Sequence, residues 1–369
     1  VYFDTIESGV GKSKRYPGLI GDGDWFREEY KKREIAASKM DDFVDFDGDG
    51  DLDLFKVTVE PFIYCYENVG GNHYVDRGRM TSGGEVFVLP HDGDFRSWAV
   101  LKCDDWDGDG DQDLFVGFSV GAKGYANEFI AFENTMRPGG PPKFEERGPL
   151  KTIGGTSLGS YWFASMTITD WDGDGKKDIV ASHLSTPTNG PLKEYHRVIF
   201  HKNMSRGGNP WDFKLAEGEI LRADGKEIEV HAPRVEVADI DGDGDLDLFT
   251  AEQNGNVDFF KNVGTRTAPV LATGTIIAKA GGHSGVKVAD FTGDGLPDLV
   301  VGDLWGGGLD PDKPGFHARL CRNLGTHSDP KFEDADADHG APYTKGFQTC
   351  DVGRQNVVYV HVTLPPALQ

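Results

Sequence analysis

Five near-copies of an acidic nine-residue loop recur along the chain, and few folds accept such a repeat. The first runs Asp45-Phe46-Asp47-Gly48-Asp49-Gly50-Asp51-Leu52-Asp53, and the others begin at Asp105, Asp170, Asp239 and Asp290. Each reads D-x-[D/T]-G-D-G-x-x-D and leads into a short apolar run such as Leu54-Phe55 or Leu299-Val300-Val301. Carboxylates held this close repel one another, so a merely solvated turn has no reason to keep them at fixed spacing through five copies. Oxygen ligands at positions 1, 3, 5 and 9, a carbonyl at position 7 and glycines for the sharp turn form a cage suited to Ca²⁺.

The expected ligand positions are therefore Asp45, Asp47, Asp49, Asp51 and Asp53; Asp105, Asp107, Asp109, Asp111 and Asp113; Asp170, Asp172, Asp174, Lys176 and Asp178; Asp239, Asp241, Asp243, Asp245 and Asp247; and Asp290, Thr292, Asp294, Leu296 and Asp298. Lys176 and Leu296 fall at position 7, where the backbone carbonyl binds, so their side chains are tolerable there. Thr292 replaces a carboxylate, and the fifth loop is expected to bind most weakly. About five structural Ca²⁺ ions follow from this count. The formal net charge of −23 is largely a product of these loops, which hold 22 aspartates. That acidity argues against nucleic acid and anionic membranes as partners. No apolar run approaches the roughly 20 residues of a spanning helix, so no membrane insertion is expected.

Between the loops a second signature recurs, an apolar or aromatic run that ends in asparagine: Phe62 to Asn68, Phe129 to Asn134, Val198 to Asn203, Val257 to Asn262 and Arg319 to Asn323. The unit reads strand, acidic loop, strand, long variable loop, strand ending at asparagine, turn, and a weaker fourth strand such as Pro330-Lys331-Phe332. Four short antiparallel strands per repeat describe a propeller blade. The loops are 60, 65, 69 and 51 residues apart, and a degraded sixth copy follows at Thr349 to Arg354. The mean step of about 61 residues divides the 369-residue chain into six. The expectation is an all-β fold, one closed six-bladed propeller over residues 1–369, with seven blades as the alternative. Its N-terminal strands, within about residues 1–20, would complete the last blade, and a helix would be inserted near 24–37. A monomer is expected. Of the four cysteines, Cys65 and Cys321 occupy equivalent places, as do Cys103 and Cys350. Equivalent positions in different repeats lie far apart, so free thiols are at least as well supported as disulfides.

The loops with their flanks, such as Val237-Ala238-Asp239 through Asp247-Leu248-Phe249, resemble FG-GAP and VCBS repeats. Those repeats build integrin α-chain propellers and many secreted bacterial propellers, among them lectins and polysaccharide lyases. The resemblance implies the propeller fold and calcium, and it agrees with a secreted, periplasmic or cell-surface location where calcium is plentiful. It does not select a function.

Because the acidic loops join first and second strands, they mark one end of every blade. A ligand site is then expected at the opposite end, in residues preceding the inner strands and in the long loops. Cationic, imidazole and aromatic residues gather in those segments: Arg96, Trp98, Tyr161, Trp162, His183, His231, Arg234, His283, Trp305, Tyr343 and Lys345. Each taken singly has an ordinary structural role available to it; their coincidence over several repeats points to an acidic polysaccharide or other glycan. Two functions remain open. A polysaccharide lyase acting by β-elimination, slightly favoured, would draw its catalytic groups from His231, Tyr161, Arg234, His283 and Tyr343. A non-catalytic carbohydrate-binding or adhesion module would use Arg96, Trp98, Trp162, His183, Trp305 and Lys345 for stacking and ion pairing.

Overall fold

Every acidic loop folds as a hairpin turn whose ninth residue opens the next strand. In the computed structural model the described residues are 42–57, 61–70, 73–90, 99–118, 128–136, 140–159, 165–184, 196–230, 234–252, 254–279, 285–303, 317–333, 348–352 and 355–359. Blade one is built from Asp42–Val44, Asp53–Val57, Ile63–Asn68 and His73–Arg79. Blade two follows with Ala99–Asp104, Asp113–Phe118, Phe129–Asn134 and Phe144–Pro149. Blade three comprises Met166–Thr169, Asp178–Leu184, His196–His201 and the short Glu219–Ile220. Blade four has Arg234–Ala238, Asp247–Ala251, Asn256–Phe260 and Thr275–Lys279. Blade five has Gly285–Ala289, Asp298–Asp303 and His317–Cys321, with an isolated bridge from Asn323 to Phe332 where a fourth strand was expected. All pairings between these strands are antiparallel.

Consecutive residues of a strand point to opposite faces of the sheet, and here each face meets a neighbouring blade. Leu54, Leu114, Ile179, Leu248 and Leu299 pack toward one neighbour, whereas Phe55, Phe115, Val180, Phe249 and Val300 pack toward the other. This explains why the second strands read as unbroken apolar runs, as strands buried on both faces do. The second residue of each loop, Phe46, Trp106, Trp171, Ile240 or Phe291, wedges into the same inter-blade layers. The last of these layers joins blade five to blade one, with Phe43 and Phe291 edge to face at 5.4 Å.

Five blades, not six or seven, are present among the described residues. The sixth, degraded copy forms only a hairpin, Gln348–Val352 with Gln355–Tyr359, which pairs onto the fourth strand of blade one through Val357–Val75 and Tyr359–His73. Its physical reason is the loss of the Gly-Asp-Gly core and of all but one aspartate, so nothing there can fold a metal loop. What remains is an edge-seeking hairpin that covers an exposed strand. The expected N-terminal strands and the helix near 24–37 lie outside the described residues. No disulfide joins Cys65, Cys103 and Cys321 to one another among the described residues.

Three places before the loops stand Asp42, Lys102, Thr167, Glu236 and Lys287, and the four charged ones meet where the first strands line the axis. Lys102 bonds Asp42 at 3.3 Å and Glu236 at 3.2 Å, while Lys287 lies 3.2 Å from Asp42 and 3.4 Å from Glu236. Asp42, Lys102 and Glu236 are all buried. Burial works to raise the Asp42 carboxyl, but the two lysines and the Cys103 N–H overcome it and hold it below the usual range. Removing one partner of such a network strands its counter-charges. Asp42→Ala is therefore expected to cost about 3–5 kcal/mol in urea unfolding, and a loss under about 1 kcal/mol would contradict the network.

Candidate metal centres and the axial site

Two glycines shape each loop. Those at positions 4 and 6 have positive φ throughout, for example 79° and 96° at Gly48 and Gly50, a conformation other residues enter only at a cost. The turn lets the first aspartate collect backbone donors: Asp45 accepts from the N–H groups of Gly48 and Gly50 at 2.8 and 3.1 Å, and Asp290 does the same from Gly293 and Gly295 at 2.7 and 2.8 Å. The ninth aspartate has a different environment. Asp53, Asp113, Asp178, Asp247 and Asp298 are all buried, and each accepts at least two backbone N–H groups, Asp298 a third from Thr292. One comes from the second loop residue, such as Trp106 at 3.0 Å. The other comes from the third-strand asparagine, at 2.7–2.9 Å from Asn68, Asn134, Asn203, Asn262 and Asn323. The asparagine side chain in turn accepts from the following turn, as Asn262 does from Gly264 and Val270.

Carboxylate oxygens consequently converge. In four loops one oxygen from each of three aspartates lies within 4.8 Å of the others: Asp45, Asp47 and Asp49; Asp105, Asp107 and Asp113; Asp170, Asp172 and Asp178; Asp239, Asp241 and Asp247. The fifth loop, with Thr292 at position 3, forms no such trio among the described residues. Buried oxygens without a hydrogen-bond partner remain inside these loops, Asp111 Oδ1 and Asp172 Oδ1. An all-oxygen donor set with orphaned carboxylate oxygens fits a hard divalent cation, not a thiolate- or imidazole-seeking one. Burial, with the neighbouring carboxylates adding to it, pushes Asp113 up to about 8 and Asp53, Asp178 and Asp247 up to about 6.

The loops differ in the charges around them. Trp211 of blade three donates to Asp107 at 3.3 Å, and Arg266 of blade four lies 3.4 Å from Asp170, so a turn of the next blade covers each of these loops. Lys202 contacts both Asp172 and Asp174, and Lys261 contacts Asp241 and Asp243. Burial tends to raise Asp174, yet the hydrogen bonds from Lys202 and Lys176 win and hold it below its ordinary value. These lysines were not singled out in the sequence, although the signal is plain: each stands immediately before a third-strand asparagine.

Of the residues expected at the ligand end, Arg234 is described in full. It opens the first strand of blade four, is buried, and lines an axial cavity of about 50 Å³ with Lys102, Ser165, Glu236 and Lys287. His183 lies in the second strand of blade three, opposite Arg197. His231, Tyr161, His283, Tyr343, Arg96, Trp98, Trp162, Trp305 and Lys345 lie outside the described residues. The first-strand and second-strand ends to which most of these segments connect are those remote from the acidic loops. No helix among the described residues is long and apolar enough to cross a membrane.

Comparison with known proteins follows the repeat. A family model for the FG-GAP-like repeat matches residues 105–181 and 239–301, which contain loops two to five. Integrin alpha-4 of Xenopus laevis is 25% identical over 213 residues, which are 51% of this chain and 20% of that protein; the match thus spans a fifth of the relative's length. Among solved structures, exo-beta-1,3-galactanase from Phanerochaete chrysosporium with galactose aligns at TM-score 0.47 and 10% identity, over 82% of this chain and 64% of the other. The V. cholerae biofilm matrix protein Bap1 aligns at TM-score 0.28 and 16% identity, over 81% and 39%. Likenesses this distant do not bear on function.

Two expectations separate the structural from the metal role of the loops. In chelator, Asp113→Ala should cost about 2–3 kcal/mol because two buried N–H groups lose their acceptor, while Asp109→Ala should cost under about 0.5 kcal/mol until metal is added. Equal losses at the two positions would refute the distinction. The second concerns pH. The buried ninth aspartate of a folded, metal-free loop holds its proton more tightly than in the unfolded chain, where an aspartate titrates at 3.8. Its contribution is therefore fully present below about pH 4 and is lost as pH rises through about 6 to 8. The melting temperature in chelator should fall across that window, and saturating cation should remove the fall.

Proposed function

We propose that this chain, an FG-GAP β-propeller repeat protein, is a secreted or cell-surface scaffold, stabilised by calcium, that binds an acidic glycan on the face remote from its aspartate loops. The metal reading rests on the four carboxylate trios and the buried ninth aspartates. Calcium suits an exclusively oxygen-lined, flexible loop better than magnesium, which keeps its waters and demands octahedral geometry. The apolar layer shared by blades five and one is in keeping with a propeller scaffold.

The observation that carries the binding reading is the filled axis. Lys102, Lys287, Asp42 and Glu236 neutralise one another across the channel, and the cavity beside them is about 50 Å³. That space accommodates a water or two and is far smaller than the several hundred Å³ of an ordinary ligand pocket. A glycan would therefore rest on the face, held by Arg96, Trp98, Trp162, His231, His283 and Trp305 from separate repeats, with Arg234 beneath it. Tyr343 and Lys345 precede the hairpin appended to blade one, so the proposal does without them. Binding is favoured over β-elimination because Arg234, the group expected to neutralise a uronate, is buried in the axial layer.

The test is a panel of acidic and neutral polysaccharides, scored for retention of the protein and for the ultraviolet absorbance of an unsaturated uronate. Retention by acidic members without new absorbance is expected. Arg96→Ala and Trp98→Ala should each weaken retention on the order of tenfold, as loss of a charge-assisted or stacking contact does. Growth of the uronate chromophore would establish the lyase instead, and retention by none of the panel would overturn a glycan ligand.

A further inference from the structure

We infer that the residue before the third-strand asparagine sets how strongly each loop demands a cation, with Lys202 and Lys261 acting as tethered counter-ions in blades three and four. The inference rests on the calcium reading above and concerns which loops depend on the ion. The residue in question is Glu67, Glu133, Lys202, Lys261 and Arg322 in blades one to five. Its backbone position is the same each time, next to the asparagine whose N–H bonds the ninth aspartate. Its charge is not.

In blades one and two the glutamate turns to the fourth strand. Glu67 forms a two-point pair with Arg77 at 2.9 and 3.0 Å, and Glu133 pairs with Arg147. Each glutamate is thus held by an arginine of its own blade and brings no positive charge into the loop. In blade five Arg322 is likewise drawn away, to Glu333 at 2.7 Å.

Blades three and four differ. The Lys202 ammonium contacts Asp172 and lies 2.8 Å from Asp174, and the Lys261 ammonium contacts Asp241 and lies 3.4 Å from Asp243. These carboxylates are positions 3 and 5, two of the four that a cation would use. Blade three adds Lys176 at 3.0 Å from Asp174 and Arg266 at 3.4 Å from Asp170. An ammonium and a divalent ion cannot share the same oxygens, so cation entry requires the lysine to withdraw. Both lysine side chains are a third or more exposed, which gives them somewhere to go. Blades three and four thus keep their loops together without metal and bind it less tightly. Among the described residues blades one and two have no such substitute, and their loops depend on the ion.

Calorimetric titration of the chelator-stripped full chain with Ca²⁺, alongside melting curves in chelator, tests this. The native chain should show two classes of site. The double variant Lys202→Met, Lys261→Met keeps the aliphatic stems and should tighten the weaker class about tenfold, the effect of removing one nearby charge in a partly exposed site, while melting earlier in chelator. The opposite change, Glu67→Lys with Glu133→Lys, should weaken the tighter class and serves if the first variant does not fold without metal. Isotherms of both variants superimposable on the native one would overturn the inference while leaving the calcium reading intact. Absence of any Ca²⁺ heat in the native chain would overturn the calcium reading and this inference with it.

Discussion

One buried carboxylate per blade carries the fold. The ninth aspartate closes its own loop with one oxygen and anchors the third strand with the other, and the asparagine it anchors then secures the turn to the fourth strand. First, second and third strands are thereby joined at a single side chain, five times over. A charge taken out of water is costly unless it is compensated, and two backbone N–H groups compensate it only in part. In four of the five loops three carboxylates lie close enough together to hold a cation that would supply the remainder. Loop and asparagine are therefore one cooperative unit, and a calcium ion bound as proposed would couple its binding to the finishing of the blade.

The axis shows the same economy of position. Taken in blade order the ring reads Asp42, Lys102, Thr167, Glu236, Lys287, and the layer between blades five and one brings the last back beside the first. Five places cannot alternate in sign all the way round. The neutral Thr167 stands between Lys102 and Glu236, so no two like charges are neighbours, and Lys102 still reaches past it to Glu236 at 3.2 Å. A sixth blade would have to stand between blades five and one, where Phe43 and Phe291 pack directly on each other.

The propeller, the acidic loops and the recurrent asparagine were legible because each is a local pattern repeated in register, and repetition separates signal from chance. Blade number was not, because spacing cannot tell a blade from a hairpin that borrows the edge of another blade. Counting Thr349 to Arg354 as a repeat made the mean step plausible, although it lacks the glycines that permit positive φ. The axial ring was present as Asp, Lys, Thr, Glu and Lys three places before successive loops, but its meaning emerges only when five distant strands are brought together. Arg234 was read as a ligand-neutralising cation standing before an inner strand. In the structure it is the first residue of that strand, buried beside Ser165 and Gly285, its counterparts in neighbouring blades.

Those counterparts explain how one end of the molecule can vary while the other cannot. Five residues before the loop the chain carries Val100, Ser165, Arg234 and Gly285, and this layer has no repeat-wide rule. Three residues before the loop the charges must balance, and within the loop nearly every position is fixed by a glycine torsion or a carboxylate. Constraint therefore rises along each inner strand toward the metal end. Segments attached at the far end inherit a rigid platform without sharing in its electrostatics, so they can exchange tryptophan, arginine or histidine without unbalancing the ring. That difference in constraint along the axis is the physical reason to seek a ligand opposite the aspartates.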